Sequence, residues 1–386
     1  MDFAFFYHSL VSDWNHGNAH FLRGVVSELL ARGHRVRVFE PVDGWSRDNL
    51  IREYGPSALR EFQERYPELT SICYDRTLNL AKVAAEADVI LVHEWNEPWL
   101  VNGLAELRER WRNKGRQRHR FRLLFHDTHH RLISDPPWMR RFRLESYDGI
   151  LAFGKVLAEV YRKNGFNDSV WSWHEAADIR RFRPREPDPG APSGDLVWVG
   201  NWGDDERSRE LEEFLFQPVQ ALGLTCHLYG VRYPEVVLKS LDERGIRYCG
   251  WIANYRVPEA FANHAVTIHV PRHHYVETLP GIPTIRPFEA MACGIPLVTS
   301  PWRDSEGLFR EDKDYLVARN RKEMQEHLAT LLRDRVFARH LAAHALATIR
   351  VRHTCAHRVD QLLEILAALE ARERKPITPA IPEKTY

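Results

Sequence analysis

Short apolar runs alternate along this chain with segments whose apolar residues return every three or four positions. Residues 3–7 (Phe-Ala-Phe-Phe-Tyr) form the first run, and residues 20–32 carry Phe21, Val25, Leu29 and Leu30 at helical spacing. Gly33 closes that helix, and residues 35–39 begin the next run. Strand, polar loop, helix, strand is a βαβ unit, whose loop faces the sheet edge where ligands bind. Further strands are predicted at 88–92, 122–125 and 149–153, then at 195–199, 225–229, 246–248, 265–270, 296–300 and 314–318. Helices at 46–66, 77–87, 98–111, 136–146 and 155–164 accompany the first set. Helices at 205–222 and 257–263, and three stretches from 321 to 374, accompany the second. The pattern predicts an α/β chain of two doubly wound parallel-sheet (Rossmann-like) domains. Between them, residues 185–194 crowd proline, glycine and charge, the composition of a linker.

The length, 386 residues, suits two domains of this kind, and 44% apolar content suffices for two cores. A net charge of +1 gives no global field that would select nucleic acid, and no stretch approaches 18 apolar residues. The N-terminus turns polar directly after residue 7 and reads as a strand, not a signal peptide. Five scattered cysteines without a Cys-x-x-Cys pair imply neither zinc nor a disulfide framework, which points to the cytoplasm. No Gly-x-Gly-x-x-Gly follows the first strand, so a dinucleotide cofactor is not expected.

The most informative stretch is 279–300, Leu-Pro-Gly-Ile-Pro-Thr-Ile-Arg-Pro-Phe-Glu-Ala-Met-Ala-Cys-Gly-Ile-Pro-Leu-Val-Thr-Ser. Gly281 and Pro283 mark a turn, Pro287 suits a first helical position, and Gly294 suits a left-handed helix end. A loop feeding a helix N-terminus favours a phosphate through free N–H groups and the helix dipole. On this reading Arg286 and the amides around Thr284 and Ile285 hold a diphosphate, and Glu289, in the first turn, accepts ribose hydroxyls. The plainer alternative is that Glu289 merely suits the dipole and the glycine and prolines are turn punctuation. A capping box would need Ser or Thr at 286, which is Arg.

Residues 287–296 (Pro-Phe-Glu-Ala-Met-Ala-Cys-Gly-Ile-Pro) resemble the donor-binding signature of the group-1 glycosyltransferases, which have the GT-B fold. The lead-in Gly-Ile-Pro-Thr-Ile-Arg resembles the branch related to spore maturation protein CgeB. Residues 31–36 resemble the family's opening unit, and 173–184 its interdomain crossing. The resemblance implies that Glu289 binds the donor ribose. The family usually has a second Glu eight positions earlier, where this chain has Gly281. It also implies basic residues near the Gly200-Asn201-Trp202-Gly203 loop, with Arg207 nearest, and a segment at Trp251 whose main chain reads the base. Arg272, following the 265–270 strand, is placed to assist with phosphate or sugar. The implied organisation is an acceptor-side domain at 1–172, a linker at 173–194 and a donor domain at 195–354. A helix at 355–374 crosses back, and a disordered tail occupies 375–386.

Two first-domain strand ends deliver His93-Glu94 and His126-Asp127-Thr128-His129-His130 to the same sheet edge. These read as an acceptor pocket, with His126 as the base and Asp127 and His93 in support. A metal reading competes, although the spacing does not match the helical zinc pattern; the plainer alternative is that some of these histidines only cap a helix or bond within the cleft. Residues 108–122 form a basic run (Arg108, Arg110, Arg112, Lys114, Arg116, Arg118, Arg120, Arg122), either a solvated helix end or a contact with anionic membrane or a phosphorylated acceptor.

The function implied is transfer of a sugar from a nucleotide-diphosphate sugar to a glycan, lipid-linked or small-molecule acceptor, in cell-surface glycan or glycoconjugate synthesis. Positive protein groups take the place of a metal, and no cofactor is expected. An epimerase of related fold, or a donor-binding protein without transfer, are the alternatives.

Overall fold

The structure, a computed structural model, describes residues 1–113 and 121–374. The expected tail at 375–386, and Lys114, Arg116, Arg118 and Arg120 of the basic run, lie outside the described residues.

The first sheet has seven parallel strands: β1 (Asp2–Phe6), β2 (Arg35–Pro41), β3 (Ser71–Tyr74), β4 (Val89–His93), β5 (Arg122–Asp127), β6 (Gly149–Ala152) and β7 (Val170–Ser172). Their order is β3-β2-β1-β4-β5-β6-β7. The second has six: β8 (Gly194–Val199), β9 (Cys226–Tyr229), β10 (Arg247–Gly250), β11 (His264–His269), β12 (Leu297–Thr299) and β13 (Leu316–Val317), ordered β10-β9-β8-β11-β12-β13. The winding direction reverses between β1 and β4 in one sheet and between β8 and β11 in the other. At such switch points the loops diverge and leave a crevice at the strand C-terminal ends. Four loops therefore define the functional edge: those after β1, β4, β8 and β11.

Both faces of the first sheet are covered. Phe3 and Phe5 pack with Phe21, Val25 and Leu29 of helix α1 (Ala19–Ala31), whereas Phe6, Ile90 and Val92 pack with Leu100, Val101 and Leu104 on the opposite face. The helix of the donor-type motif is α2 (Ile285–Cys293), and the last helix is α3 (Cys355–Arg374). Val359, Leu362 and Leu366 of α3 belong to the same core as Phe21 and Val25. Gly24 of α1 permits this approach, since a Cβ there would collide with the Cys355 sulfur.

Several local predictions shift. The edge strands β3 and β7 were not foreseen: they are short and partly exposed, so their apolar pattern is weak. The 46–66 helix divides at Gly55-Pro56 into Trp45–Tyr54 and Ser57–Arg65. The 205–222 helix is interrupted by a π-helical stretch, Glu212–Phe216, just before Pro218, which has no N–H to give a preceding carbonyl. Helix α2 starts two residues before Pro287, with Thr284 as the extended residue before it. Pro287 fits there because no N–H in a first turn has an intrahelical acceptor. Glu289 consequently falls in the second turn, not the first.

Candidate active site

The four switch-point loops and the N-terminus of α2 enclose a cleft of about 350 Å³ between the domains. On the second-domain side, Arg207, Arg272 and Arg286 converge with Asn201, Thr284 and Ile285. Arg207 is anchored by the carbonyls of Val270 (3.0 Å), Asn201 and Trp202, which fix its guanidinium where the loops after β8 and β11 meet. Burial, and then the neighbouring Arg272 charge, lower its pKa to about 10. Arg272 donates to Glu206 at 3.2 Å. Thr284 makes no side-chain cap bond to α2, so the first amides of that helix are left to the cleft; its hydroxyl instead lies 3.3 Å from His269 Nε2. Three guanidinium groups beside a helix N-terminus make a strong anion site, because each is poorly solvated and repelled by the others. Asn201 contributes through the wall itself, its side chain accepting the Val231 amide at 3.0 Å.

The first-domain side is built by Asn15, His16, Gly17 and Asn18 after β1, Trp95 after β4, and Thr128 and His129 after β5. Gly17 brings the β1 loop against α2: a Cβ there would sit 2.8 Å from the Ile285 side chain. Glu175, on the interdomain crossing, also lines the cleft.

Glu289 sits behind this wall with 0% exposure. Its Oε1 accepts from His20 Nδ1 at 2.8 Å and Asn254 Nδ2 at 2.7 Å, and its Oε2 from Arg286. Asp178 N–H donates to His20 Nε2 at 2.7 Å, which assigns the His20 proton to Nδ1. Burial would raise the Glu289 pKa, but Arg286, His20 and Asn254 outweigh it and hold the carboxylate below its usual range. In this arrangement Glu289 orients Arg286 while joining the domains. Trp251 is also engaged in protein contacts: its indole donates to Asp13 at 2.9 Å, and its main-chain N–H donates to the Tyr54 hydroxyl at 2.9 Å. It straps the two domains together outside the cleft. Gly281, at φ +94°, makes a turn against Ser305 that leaves no room for a side chain. The lead-in 279–282 crosses over, with Leu279 and Ile282 packed into the first-domain core beside Phe125, Phe153 and Leu157.

The expected catalytic trio lies beneath the cleft. Strand β5 runs two residues beyond its predicted end, pairing His126 with Leu151 and Asp127 with Ala152, so both side chains point into the layers that flank the sheet. His126 has 0% exposure; its Nδ1 lies 2.6 Å from the Tyr7 hydroxyl, and its ring packs against Phe21 and Trp173. Burial lowers its pKa to about 3. Asp127 accepts from the Tyr161 hydroxyl at 2.5 Å and the His129 amide at 2.8 Å, with burial raising its pKa to about 6. His93 stacks on Tyr7, and its Nε2 lies 3.0 Å from Thr128 Oγ1. The trio supports the residues that do reach the cleft, Thr128 and His129. Sequence reasoning missed His16, Asn18, Glu175 and Glu206, although the polar loop after β1 was itself a signal.

Within the described residues one group could hold a metal: His130, Glu206 and His274, with ligand atoms inside 4.8 Å of one another. The His130 and His274 rings are stacked 4.2 Å apart at 23°, so their in-plane lone pairs do not converge on one point, and Arg272 competes for Glu206. Of the described residues of the basic run, Arg108, Arg112 and Arg122 pair with Asp148, the first at 2.7 Å, while Arg110 pairs with Glu106. Among the described residues, no helix is long and apolar enough to cross a membrane.

Residues 207–364 match the family described as "Glycosyl transferase-like". No curated protein matches the chain. Among solved structures, sucrose-phosphate synthase from Thermosynechococcus elongatus aligns at TM-score 0.64 and 14% identity, over 96% of this chain and 100% of that one. Anabaena Alr3699/HepE in complex with UDP and glucose aligns at 0.64 and 15%, over 95% and 100%. An alpha-glucosyltransferase in complex with UDP-glucose and DNA containing an abasic site aligns at 0.67 and 13%, over 95% and 99%. The two-sheet architecture is therefore that of the GT-B glycosyltransferases. The matched stretch holds Arg207, Arg272 and Arg286 and all of α2.

Proposed function

We propose that the protein moves a sugar from a nucleotide-diphosphate donor to an acceptor hydroxyl. The convergence of Arg207, Arg272 and Arg286 on the N-terminus of α2 carries this reading. The bond from the anomeric carbon to the diphosphate oxygen breaks, the bond to the acceptor oxygen forms, and the acceptor proton leaves. Charge grows on the departing diphosphate, and fixed guanidinium groups and amides stabilise that charge without reorganising. They supply the positive charge that a metal would otherwise bring. UDP and UDP-glucose, bound in the neighbouring structures, are the first donors to try. The Gly281–Arg286 lead-in supports a place in the branch related to spore maturation protein CgeB.

The acceptor reading rests on a second cavity, of about 680 Å³, which shares His16 and Trp95 with the cleft. Trp45, Trp95 and Trp99 line it together with Asp43, Asp75 and Glu97. Trp45 and Trp95 are 49% and 39% exposed, unusual for indoles that merely fill a core. Flat aromatic faces receive the C–H face of a sugar ring, and carboxylates accept its hydroxyls. The acidic lining favours a neutral carbohydrate acceptor over a phosphorylated one.

The test is release of nucleoside diphosphate from a panel of nucleotide sugars, with neutral oligosaccharides and phosphorylated sugars as acceptors. Release that needs a neutral acceptor is the expected result. Sugar conversion without any acceptor would indicate an epimerase, and binding without turnover across the panel a donor-binding protein; either overturns the proposal.

A further inference from the structure

Glu175 stands three residues past β7, on the segment that crosses between the domains, and its side chain lines the cleft although only 4% of the residue is exposed. Glu289, Asp13 and Asp178, other acids buried along this boundary, are spoken for, the last by Arg180. Glu289 takes His20, Asn254 and Arg286, and Asp13 takes Arg23, Trp251 and the Asn254 amide. Among the described residues, none makes a hydrogen bond to the Glu175 carboxyl. A carboxyl that lines a cleft and has no protein partner is open to water or to a ligand there.

The titratable groups around it are Arg286 and Glu289 of α2 and Tyr275 of the short helix His273–Glu277; Arg207 lies farther along the same wall. Burial and then the Glu289 charge push the Glu175 pKa up to about 8, against the pull of Arg286. Arg286 is already bonded to Glu289, so it does little to neutralise a second carboxylate. At neutral pH the carboxyl therefore keeps its proton and has an O–H to give, facing the space beside Arg286 and the first amides of α2.

We propose that Glu175 is a donor-binding residue of the cleft, giving a hydrogen bond from its carboxyl O–H to an oxygen of the donor's diphosphate. The inference rests on the donor reading above and adds to it a residue and a pH dependence. Ionised, Glu175 loses the hydrogen bond and places a negative charge against the diphosphate, so donor affinity falls as pH rises through its pKa.

Calorimetric titration with UDP between pH 7 and 9 tests this on the wild-type protein, Glu175→Gln and Glu175→Ala. Wild-type affinity should fall several-fold toward pH 9. Glu175→Gln keeps an N–H donor but cannot ionise, so it should bind within a few-fold of wild type at pH 7 and hold that affinity to pH 9. Glu175→Ala should bind about tenfold more weakly throughout, with the same flat profile. Arg207, at about 10, stays charged across this window, and the ligand's own titration is common to all three proteins. A flat wild-type profile, or a fall in Glu175→Gln parallel to wild type, overturns the assignment. If Glu175→Gln does not fold, Glu175→Ala is the non-titrating control, and a fall in it parallel to wild type overturns the assignment. Failure of the wild type to bind UDP or any other nucleoside diphosphate at any pH would instead defeat the donor reading itself.

Discussion

The two walls of the cleft are built on opposite plans. On the second-domain side, charged and polar groups come from loop positions and a helix N-terminus: Arg207, Arg272, Arg286 and Thr284 all reach the cleft. On the first-domain side, the most chemically suggestive residues, His93, His126 and Asp127, sit inside strands and never reach it. Residues within a strand alternate between the two faces of the sheet, and here helices cover both faces. On this wall the residues that emerge lie beyond the last paired position of β5, so Thr128 and His129 line the cleft while His126 and Asp127 hold up the floor. A reactive side chain at a strand end is thus a weak sign of catalysis unless the end of the pairing is known.

The largest expected effect that sharpens this contrast is acid lability of the first domain. Burial alone holds His126 at about 3, and burial, then neighbouring charges, hold His16 at about 3 and lower His8, His93 and His129 well below the ordinary value. In the second half, His269 and His353 behave similarly. An unfolded chain takes up these protons near pH 6.5, while the folded protein refuses them until far lower pH. Between those values the unfolded state binds more protons, so stability falls as pH falls, by at most about 1.4 kcal/mol per pH unit for each histidine. Urea unfolding should show a loss of several kcal/mol between pH 7 and 5. Hydrogen exchange at pH 5 should rise first around β1, β4 and β5. Equal stability at the two pH values would mean that these histidines are not buried as described.

Next in size is His126→Ala. It leaves the buried Tyr7 hydroxyl without its partner and opens a hole beside Phe21 and Trp173, at a cost of about 2–4 kcal/mol in stability. Turnover per folded molecule should stay within a few-fold of wild type. A hundredfold loss of turnover at unchanged melting temperature would return His126 to the chemistry.

What the sequence showed and what it hid follow from the same physics. Two parallel-sheet domains were legible because β1, β4, β5, β8 and β11 are central strands, buried on both faces and therefore continuously apolar. The edge strands β3 and β7 escaped because one flank of an edge strand has no pairing partner and its residues are partly exposed. Arg286, Arg272 and Arg207 could be placed because loops and helix starts have local punctuation, such as Gly281, Pro283 and Gly294. Glu289 and Trp251 were found as residues of note, but their contacts across the domain boundary were not foreseen. Their partners, His20, Asp13 and Tyr54, lie in the other domain, hundreds of residues away in the chain, where no local pattern reports them. Glu175 gave no signal because its meaning comes wholly from having no partner in a buried place.

The smallest effect expected is from chelation. Three arginines already face the cleft, so transfer activity should change less than twofold with EDTA. Loss of activity restored by a divalent ion would make His130, Glu206 and His274 ligands after reorientation, and would shift the weight of the site back toward the first domain.

The contrast between the walls comes down to one calorimetric titration, UDP into the wild type, Arg286→Ala and His126→Ala, each scaled to its folded fraction. Arg286→Ala should weaken binding by about 1.5–3 kcal/mol, the scale of a charged hydrogen bond, roughly a ten- to hundredfold rise in Kd. His126→Ala should leave the affinity of folded protein unchanged. Unchanged affinity in a folded Arg286→Ala variant, or a large loss in His126→Ala, would contradict the account.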